Sequence, residues 1–313
     1  MKHFISPGKS LGVVVLMTFL STWILLSNAI VQGAGEVTVD AKYPGLGLGI
    51  LGSAKLEPMD GDTLLVADGF KISQAELMDA VKEQEPKLRR QLEKNLLFVL
   101  EQEATRRILL REAQKAGISA SGRDENRVIQ DLFERKSGEA SISENELRTF
   151  YQANQEMVGG APFEQVRNNI RQYLLQEKKQ QAVASYIAHL KDSLVARVNE
   201  SWVEKQNRLA ADNPVDKARN SRKPTMVEFG ATGCVPCDRM QPILDNVRKN
   251  YPDKLNVVFV HVREEQVLAA RYGIRSIPVQ VFFDARGKEV FRHVGFFPEA
   301  EVTKQLAQIG VAK

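Results

Sequence analysis

The pattern of apolar positions divides the chain into three regions. An apolar run without charged residues extends from Leu11 to Val31, about the 20 residues that a helix needs to cross a bilayer. From Thr63 to Glu200, apolar residues recur at helical spacings between charged ones. From Lys223 onwards, short apolar runs of strand type alternate with helical patterns. The sequence therefore predicts a leader or anchor, a helical region and an α/β region.

The helical region is predicted to open with a short strand–turn–strand, in which Asp68-Gly69 forms the turn. Capping-box patterns, in which a serine is followed three residues later by a glutamate, then mark two helix starts. The predicted helices begin at Ser73, Leu88, Asp124, Ser143 and Pro162, and the last one continues to Leu194. Pro86 is expected to end or interrupt the first helix, and Gly117 to end the second.

The C-terminal region predicts a small α/β sandwich with a mixed sheet. The predicted strands are Thr225–Gly230, Leu255–Val262 and Ser276–Asp284, and a hairpin partner follows the A-R-G turn. The predicted helices cover residues 234–250, 264–272 and 298–309. Leu255–Val262 is almost continuously apolar, which is typical of a strand buried on both faces.

Changes in composition suggest where the domains begin and end. Residues 1–35 form the leader or anchor, and the glycine-containing stretch 36–62 is predicted to be a linker. The helical domain then covers 63–200. A polar segment at 201–222, with Asn213-Pro214 inside it, is predicted to be a second linker, and the α/β domain occupies 223–313.

The N-terminus predicts export. Lys2 and Lys9 precede the apolar run, which is the order of a secretory signal. The run is also long enough for an uncleaved transmembrane helix, and the sequence leaves cleavage open. Glu36 and Asp40 follow the run, so the positive-inside rule places the remainder outside the cytoplasm. We expect the protein in the periplasm or cell envelope, either released or anchored to the inner membrane.

Charge argues against a nucleic-acid partner. The 313 residues contain 43 Lys and Arg against 39 Asp and Glu, a net charge of +4. This small excess is spread along the chain, and it does not form the basic patch that nucleic-acid binding requires.

Cys234 and Cys237 are the chain's two cysteines, and they form a C-x-x-C pattern. A disulfide between residues three apart closes too short a loop to staple a fold. Structural zinc takes four ligands, and only His261 and His293 could be added here. Covalent haem attachment needs a histidine where Asp238 stands. The pattern therefore predicts a redox pair, with no metal and no cofactor.

Two stretches around this pair resemble the thioredoxin family. K-P-T-M-V-E-F-G-A-T-G-C-V-P-C-D-R-M-Q-P-I-L-D-N-V is similar to its active-site region, and R-Y-G-I-R-S-I-P-V-Q-V-F-F-D-A-R-G-K-E-V to its cis-proline strand and hairpin. The resemblance implies a thioredoxin fold in which Cys234 is the nucleophile and Cys237 the second, more buried cysteine. It maps the family's buried acid to Glu228.

The same resemblance implies a substrate groove. Pro278 would be the cis-proline that presents the backbone of Ile277 to a substrate strand, and Gly295 would help to form the groove. Pro242 would kink the helix that follows the cysteines. Val235 and Pro236, between the cysteines, are more similar to reducing members of the family than to strong oxidants. The direction of electron flow stays open.

Residues 63–198 resemble the N-terminal domain of SurA-type periplasmic chaperones. The similar stretches are L-L-V-A-D-G-F-K-I-S-Q-A-E-L, A-Q-K-A-G-I, I-S-E-N-E-L-R-T-F-Y and P-F-E-Q-V-R-N-N-I-R-Q-Y-L-L-Q-E-K. No parvulin-like segment follows, so prolyl-isomerase activity is not implied. The resemblance implies binding of unfolded or extended polypeptide, and a helical spacer or dimerisation arm is the alternative.

Together these features predict an exported thiol–disulfide oxidoreductase that acts on disulfide-containing or partly folded client proteins. The alternative is a non-enzymatic holdase in which the thioredoxin-like fold adds binding surface. A reductant outside the cytoplasm needs electrons from inside the cell, so a thiol-transferring electron donor in the membrane is a predicted partner.

Overall fold

The computed structural model describes residues 37–43, 46, 49–67, 69–138, 141–155 and 160–311. The predicted leader or anchor lies outside these residues, and so does Asp68 of the predicted turn. Within the described ranges, no helix is long and apolar enough to cross a membrane.

The described chain forms two compact units. One contains the described residues up to Gln102 together with those from Val195 onwards, and the other contains Glu103–Leu194. The predicted division at residues 201–222 does not separate these units. Residues 63–102 belong with the C-terminal region, although the sequence suggested that they belong with the helices after them.

The N-terminal half is largely helical. Its helices are α1 (Val39–Lys42), α2 (Gln74–Lys82), α3 (Pro86–Glu93), α4 (Leu96–Lys115), α5 (Glu125–Ser137), α6 (Glu144–Ala153) and α7 (Phe163–Ser193). Both predicted capping boxes are confirmed, at Ser73 for α2 and at Ser143 for α6. Each serine hydroxyl accepts a hydrogen bond from the backbone of the glutamate three residues later, which satisfies one of the helix's free N–H groups.

The predicted long second helix is in fact two helices. Pro86 does not end α2. It occupies the first turn of α3, where its missing N–H would have no partner in any case. The chain then breaks between α3 and α4, and the side-chain amide of Asn95 donates to the carbonyl of Gln91 at 2.7 Å. That bond satisfies a carbonyl at the end of α3.

The helical region also contributes strands to a four-stranded sheet, so the expectation that this region is all-α is wrong in part. Its strands are β1 (Lys55–Glu57), β2 (Thr63–Ala67), β3 (Phe70–Ser73) and β4 (Ala196–Asn199). They lie in the order β1-β4-β2-β3, with β1 parallel to β4 and the other pairs antiparallel. β2 and β3 are the two strands of the predicted strand–turn–strand. The sequence missed β1 and β4, which at three and four residues are too short to show a clear alternating pattern.

Both predicted linkers contain helical structure in their described residues. In the first, the buried carboxylate of Glu101 accepts hydrogen bonds from the backbone N–H groups of Ile50 and Leu51, at 2.8 and 2.9 Å. These bonds hold a turn of 3₁₀ helix over Ile50–Ser53. The second contains most of α8 (Glu200–Ala210) and all of α9 (Pro214–Arg219). Asn213 caps α9 from its N-cap position, so Asn213-Pro214 is a helix start rather than a boundary.

The C-terminal region contains the second sheet. Its strands are β5 (Thr225–Gly230), β6 (Asn256–His261), β7 (Val279–Phe283) and β8 (Glu289–Val294), in the order β6-β5-β7-β8. β5 is parallel to β6 and antiparallel to β7, and β7 is antiparallel to β8. The remaining helices are α10 (Val235–Asn250), α11 (Gln266–Arg271) and α12 (Glu299–Gln308).

The expectation that the apolar run at 255–262 is buried on both faces is wrong. β6 lies at the edge of the sheet, and within the strand only Val260 is fully buried. The central strands β5 and β7 are buried at every position. An apolar run shows that a segment is a strand, but its place in the sheet depends on pairing with distant residues.

Helices cover both faces of this sheet. On one face, α10 and α12 pack on residues of β5 and β7; the core there includes Met226, Phe282, Met240, Leu244, Val247, Val302 and Leu306. On the other face, α9 and α11 contribute to a core that includes Val215, Val227, Phe229, Leu268, Val281 and Phe283. The layer under α10 is the one that carries the cysteines.

A buried charge cluster joins α9 to α11. Asp216 accepts hydrogen bonds from the Tyr272 hydroxyl at 2.6 Å and the Asn213 amide at 2.6 Å. It also pairs with Arg271 at 3.1 Å and Arg219 at 3.2 Å. Burial acts to raise the pKa of Asp216, but the charge of Arg271 and these hydrogen bonds outweigh it and hold the pKa below its usual value.

Candidate redox site

The two cysteines form a disulfide at the start of α10. Cys234 is the N-cap residue of the helix, and Cys237 lies in its first turn, with Cα atoms 5.2 Å apart. Cys237 is 1% exposed, whereas Cys234 is half-buried and can be reached from solvent. The accessible cysteine is therefore the one at which an exchange reaction can begin.

The start of α10 favours a negative charge on Cys234. The first N–H groups of a helix have no carbonyl partner within it, and they add to the positive end of the helix dipole. A cysteine at such a position has a stabilised thiolate, which is the form that attacks disulfides. Pro236 lies in this first turn, and Pro242 lies inside α10, where it has no N–H to donate to the preceding turn.

Glu228 lies in the layer between β5 and α10. Alternate residues of a strand share one face, so Glu228 points to the same side as Met226, which packs against α10, and Gly230. A Cβ placed on Gly230 would lie 3.5 Å from the Cβ of Cys237. The buried acid that the resemblance implied is thus on the face that carries Cys237.

The environment of Glu228 prepares it to exchange protons near neutral pH. The residue has no exposed surface, and burial raises the pKa of its carboxyl to about 7. A hydrogen bond from the Gln280 side chain and the charge of Arg248 act in the opposite direction. A carboxyl in this state can accept a proton and release it at the pH of a cell.

The predicted groove residues gather at the same end of the sheet as the cysteines. The Ile277–Pro278 peptide bond is cis. The N–H of Gly295 donates to the carbonyl of Pro278 at 2.8 Å, and Gly295 has a φ of +101°, in a region that favours glycine. Because Phe229 pairs with Val279, this end of β7 lies beside the end of β5 that leads to Cys234.

His261 and Thr232 are site residues that the sequence did not assign. His261 was weighed only as a zinc ligand. Its Nε2 accepts a hydrogen bond from the N–H of Thr232 at 3.2 Å, which ties the loop before Cys234 to the end of β6. In the described part of the chain, no cluster of three or more His, Cys, Asp or Glu side chains could hold a metal ion.

Gln280, Arg239 and Phe296 were also missed. Gln280 is fully buried and lies directly across from Glu228 on β7. A single glutamine in the apolar strand V-Q-V-F-F was the signal that could have identified it. The guanidinium of Arg239 lies 3.9 Å above the ring of Phe296, which follows Gly295, and nothing in the sequence pairs these two residues.

Comparison with known proteins agrees with this geometry. A profile of the thioredoxin-like domain matches residues 211–310. A thioredoxin from Griffithsia pacifica is 39% identical over 87 residues, which are 28% of this chain and 79% of that protein. The chain belongs to the thioredoxin family. A thioredoxin from Alicyclobacillus acidocaldarius is 32% identical over 98 residues, 31% of this chain and 92% of its own length. The crystal structure of thioredoxin NaTrxh from Nicotiana alata aligns with 30% of this chain and 79% of its own, at 28% identity and a TM-score of 0.28.

Membership of the thioredoxin family supports thiol–disulfide oxidoreductase activity in general. The profile match includes α9 and everything from β5 to α12, so it contains each of the site residues described above. The C-terminal region therefore has a thioredoxin fold, and a helical region precedes it.

Proposed function

We propose that this protein reduces disulfides in exported proteins through Cys234 and Cys237. The observation that carries the proposal is the difference between the two cysteines. Cys234 is accessible at the N-terminus of α10, and Cys237 is buried one turn later and bonded to it. This is the arrangement that a two-step exchange reaction needs.

The reaction begins with the reduced dithiol. The Cys234 thiolate attacks one sulfur of a substrate disulfide, so that a mixed disulfide forms and the other substrate sulfur leaves as a thiolate. Cys237 then gives its proton to Glu228 and attacks the sulfur of Cys234. The mixed disulfide breaks, the Cys234–Cys237 disulfide forms, and the second substrate sulfur leaves. Two electrons have passed from the protein to the substrate.

We assign recognition of the substrate to the backbone just before β7. The backbone at Ile277, before Pro278, would pair with an extended substrate segment beside the attacked disulfide, and Gly295 would leave room for it. Substrates of this kind are protein segments that can take up a strand conformation, which partly folded proteins provide.

The helical region would hold such proteins near the site. Its similarity to the N-terminal domain of SurA-type chaperones supports this role, as does the amphipathic pattern of its helices. The leader-like N-terminus supports a location in the periplasm or cell envelope. A reductant there requires a thiol-transferring donor in the membrane to restore the dithiol after each cycle.

Trapping tests the roles of the two cysteines. Cys237→Ser should accumulate a mixed disulfide with insulin as the protein substrate, because the second step is blocked. Cys234→Ser should not, because the first step is lost. Trapping by Cys234→Ser alone would overturn the assignment. Failure of both variants to trap, with no insulin reduction by the unaltered protein, would contradict the proposed activity.

The reduction potential tests the direction of electron flow. Equilibration of the Cys234–Cys237 pair with dithiothreitol or glutathione buffers should give a value near the roughly −270 mV of thioredoxin. A value between about −180 and −120 mV, the range of disulfide isomerase and of the oxidant DsbA, would instead make the protein an isomerase or oxidant.

A further inference from the structure

A polar row crosses the layer beneath α10. Glu228 on β5 pairs in register with Gln280 on β7, and Gln280 pairs with His293 on β8. Residues directly opposite each other on neighbouring strands share a face of the sheet, so all three side chains lie on the side that carries Cys237. Glu228 and Gln280 have no exposed surface. A glutamine in this apolar layer is costly unless its polar atoms are used.

Gln280 has one clear hydrogen bond. Its Nε2 donates to Oε2 of Glu228 at 3.0 Å. The other oxygen of each side chain, Oε1 of Glu228 and Oε1 of Gln280, has no hydrogen-bond partner among the described residues. The two side chains are therefore each other's hydrogen-bond partners, and each keeps one oxygen atom that accepts no hydrogen bond from any described residue.

An amide can serve both protonation states of a carboxyl. Its NH₂ group donates to a carboxylate, and its oxygen accepts from the O–H of a carboxylic acid, so rotation of the amide by half a turn exchanges the two. A lysine has donors only, and an aliphatic residue has neither a donor nor an acceptor. Gln280 is thus suited to an acid that gains and loses a proton in place.

We propose that Gln280 is a positioning residue that keeps the Glu228 carboxyl in place while it gains and loses the proton of Cys237. This rests on the proposed function. In the proton step, the S–H bond of Cys237 breaks, an O–H bond forms on Glu228, and the electron pair stays on sulfur. Gln280 touches neither the substrate nor a reacting sulfur.

The surroundings of Glu228 leave Gln280 as its main polar partner. From α10, Cys237 faces the layer, whereas Arg248 is exposed and acts on the carboxyl only by its charge. From the neighbouring strands, His261 lies at the end of β6 and His293 on β8. His261 is bonded to Thr232, and the Nε2 of His293 lies 3.2 Å from the carbonyl of Phe296. Among the described residues, neither histidine hydrogen-bonds to Glu228.

Gln280→Met tests the proposal because methionine keeps the length of the side chain and removes the amide. Without the donor the carboxylate is less stable, so the proton should bind more tightly. We expect the titration midpoint of Glu228, followed by the ¹³C shift of its carboxyl in the oxidised full chain, to rise by about one pH unit. An unchanged or lower midpoint would overturn the proposal. Gln280→Leu carries the same expectation, so the result does not depend on one variant folding.

The second measurement separates positioning from a structural role. In insulin reduction, Gln280→Met should shift the pH–rate profile to higher pH, by the same number of pH units as the carboxyl midpoint. In a Glu228→Gln background, Gln280→Met should not shift the profile. Equal losses in both backgrounds, with no shift, would show that Gln280 only supports the fold. The carboxyl titration needs no activity, so it still decides the proposal if the protein proves unable to reduce insulin.

Discussion

Glu228 and Cys237 share one buried layer between β5 and α10. Both are at most 1% exposed, and Gly230 brings the end of β5 so close that a Cβ there would lie 3.5 Å from that of Cys237. A buried acid with a pKa of about 7 is unfavourable for folding whenever it is ionised. The fold keeps it at the position where the proposed reaction uses a proton acceptor for Cys237.

Glu228→Gln should therefore stabilise the protein above neutral pH. The folded pKa of about 7 lies above the usual 4.5, so the folded state binds more protons between these values and the unaltered protein loses stability as pH rises. The variant should avoid this loss, which amounts to about 3 kcal/mol by pH 8. Urea unfolding of the oxidised forms from pH 4 to pH 8 measures it.

The control for this prediction is Asp253→Asn, an exposed acid in the same domain. Its stability should follow that of the unaltered protein throughout. Parallel curves for Glu228→Gln and the unaltered protein would show that Glu228 is not the buried, neutral acid that its surroundings imply.

The cluster around Asp216 should be much more sensitive than a surface ion pair. Asp216→Asn removes the carboxylate that pairs with the buried guanidiniums of Arg271 and Arg219, and removing one partner of a buried pair costs about 3–5 kcal/mol. Asp245→Asn removes the exposed partner of Arg248 and should cost less than about 1 kcal/mol. Similar losses for the two variants in urea would contradict the importance of the cluster.

The same cluster gives a pH dependence of the opposite sign to that of Glu228. The pKa of Asp216 is held below its usual value of 3.8, so its stabilising contribution is complete above that value and is lost as the pH falls below it. The stability lost by the unaltered protein on acidification should thus be smaller in Asp216→Asn. Acid unfolding followed by circular dichroism compares the two.

Gly287 and Gly273 offer a matched test of space against backbone conformation. Both have positive φ values, +74° and +65°, so an alanine at either position carries a backbone cost of about 1–2 kcal/mol. At Gly287 the added Cβ would also lie 2.8 Å from the carbonyl oxygen of Arg219, whereas at Gly273 it meets nothing within 4 Å. Gly287→Ala should lose at least about 1 kcal/mol more in urea unfolding. Equal losses would mean that α9 moves freely away from this turn.

The sequence was most informative where local signals were strong. The strand Thr225–Gly230 was predicted with its observed bounds, and the helix predicted from Cys234 begins one residue later. The resemblance to thioredoxins implied the cis bond before Pro278. The capping boxes at Ser73 and Ser143 follow from short motifs that carry their own geometry. These features depend on residues close together in the chain, and a single sequence displays them.

Local sequence signals did not predict the features that depend on pairing between distant strands. β1 pairs with β4, which is far away in the sequence, and neither strand is long enough to show a pattern. The edge position of β6 depends on which strands pair with β5. Gln280 appeared as an exception in an apolar strand, but its bond to Glu228 becomes visible only when β5 and β7 are aligned. Tertiary contacts between residues far apart in the sequence determine these features.

Gln91 should connect the N-terminal helices to the thioredoxin domain. Its side-chain amide donates to the carbonyl of Glu264, and its oxygen accepts from the N–H of Val267 at 3.1 Å, at the start of α11. Gln91→Ala leaves both backbone groups without these bonds and should cost about 1–2 kcal/mol. Hydrogen exchange at the Val267 amide should become faster, because that N–H loses its acceptor.

Gln266→Ala is the matched control for Gln91→Ala. Gln266 is exposed at the same helix start, and its amide makes only a 3.4 Å bond to the carbonyl of Arg263. Its replacement should leave exchange at Val267 unchanged. If Gln91→Ala also leaves that exchange unchanged, α3 does not hold α11 in solution, and residues 63–102 would behave as part of the helical region, as the sequence alone suggested. Faster exchange in Gln91→Ala alone would place that segment with the redox domain.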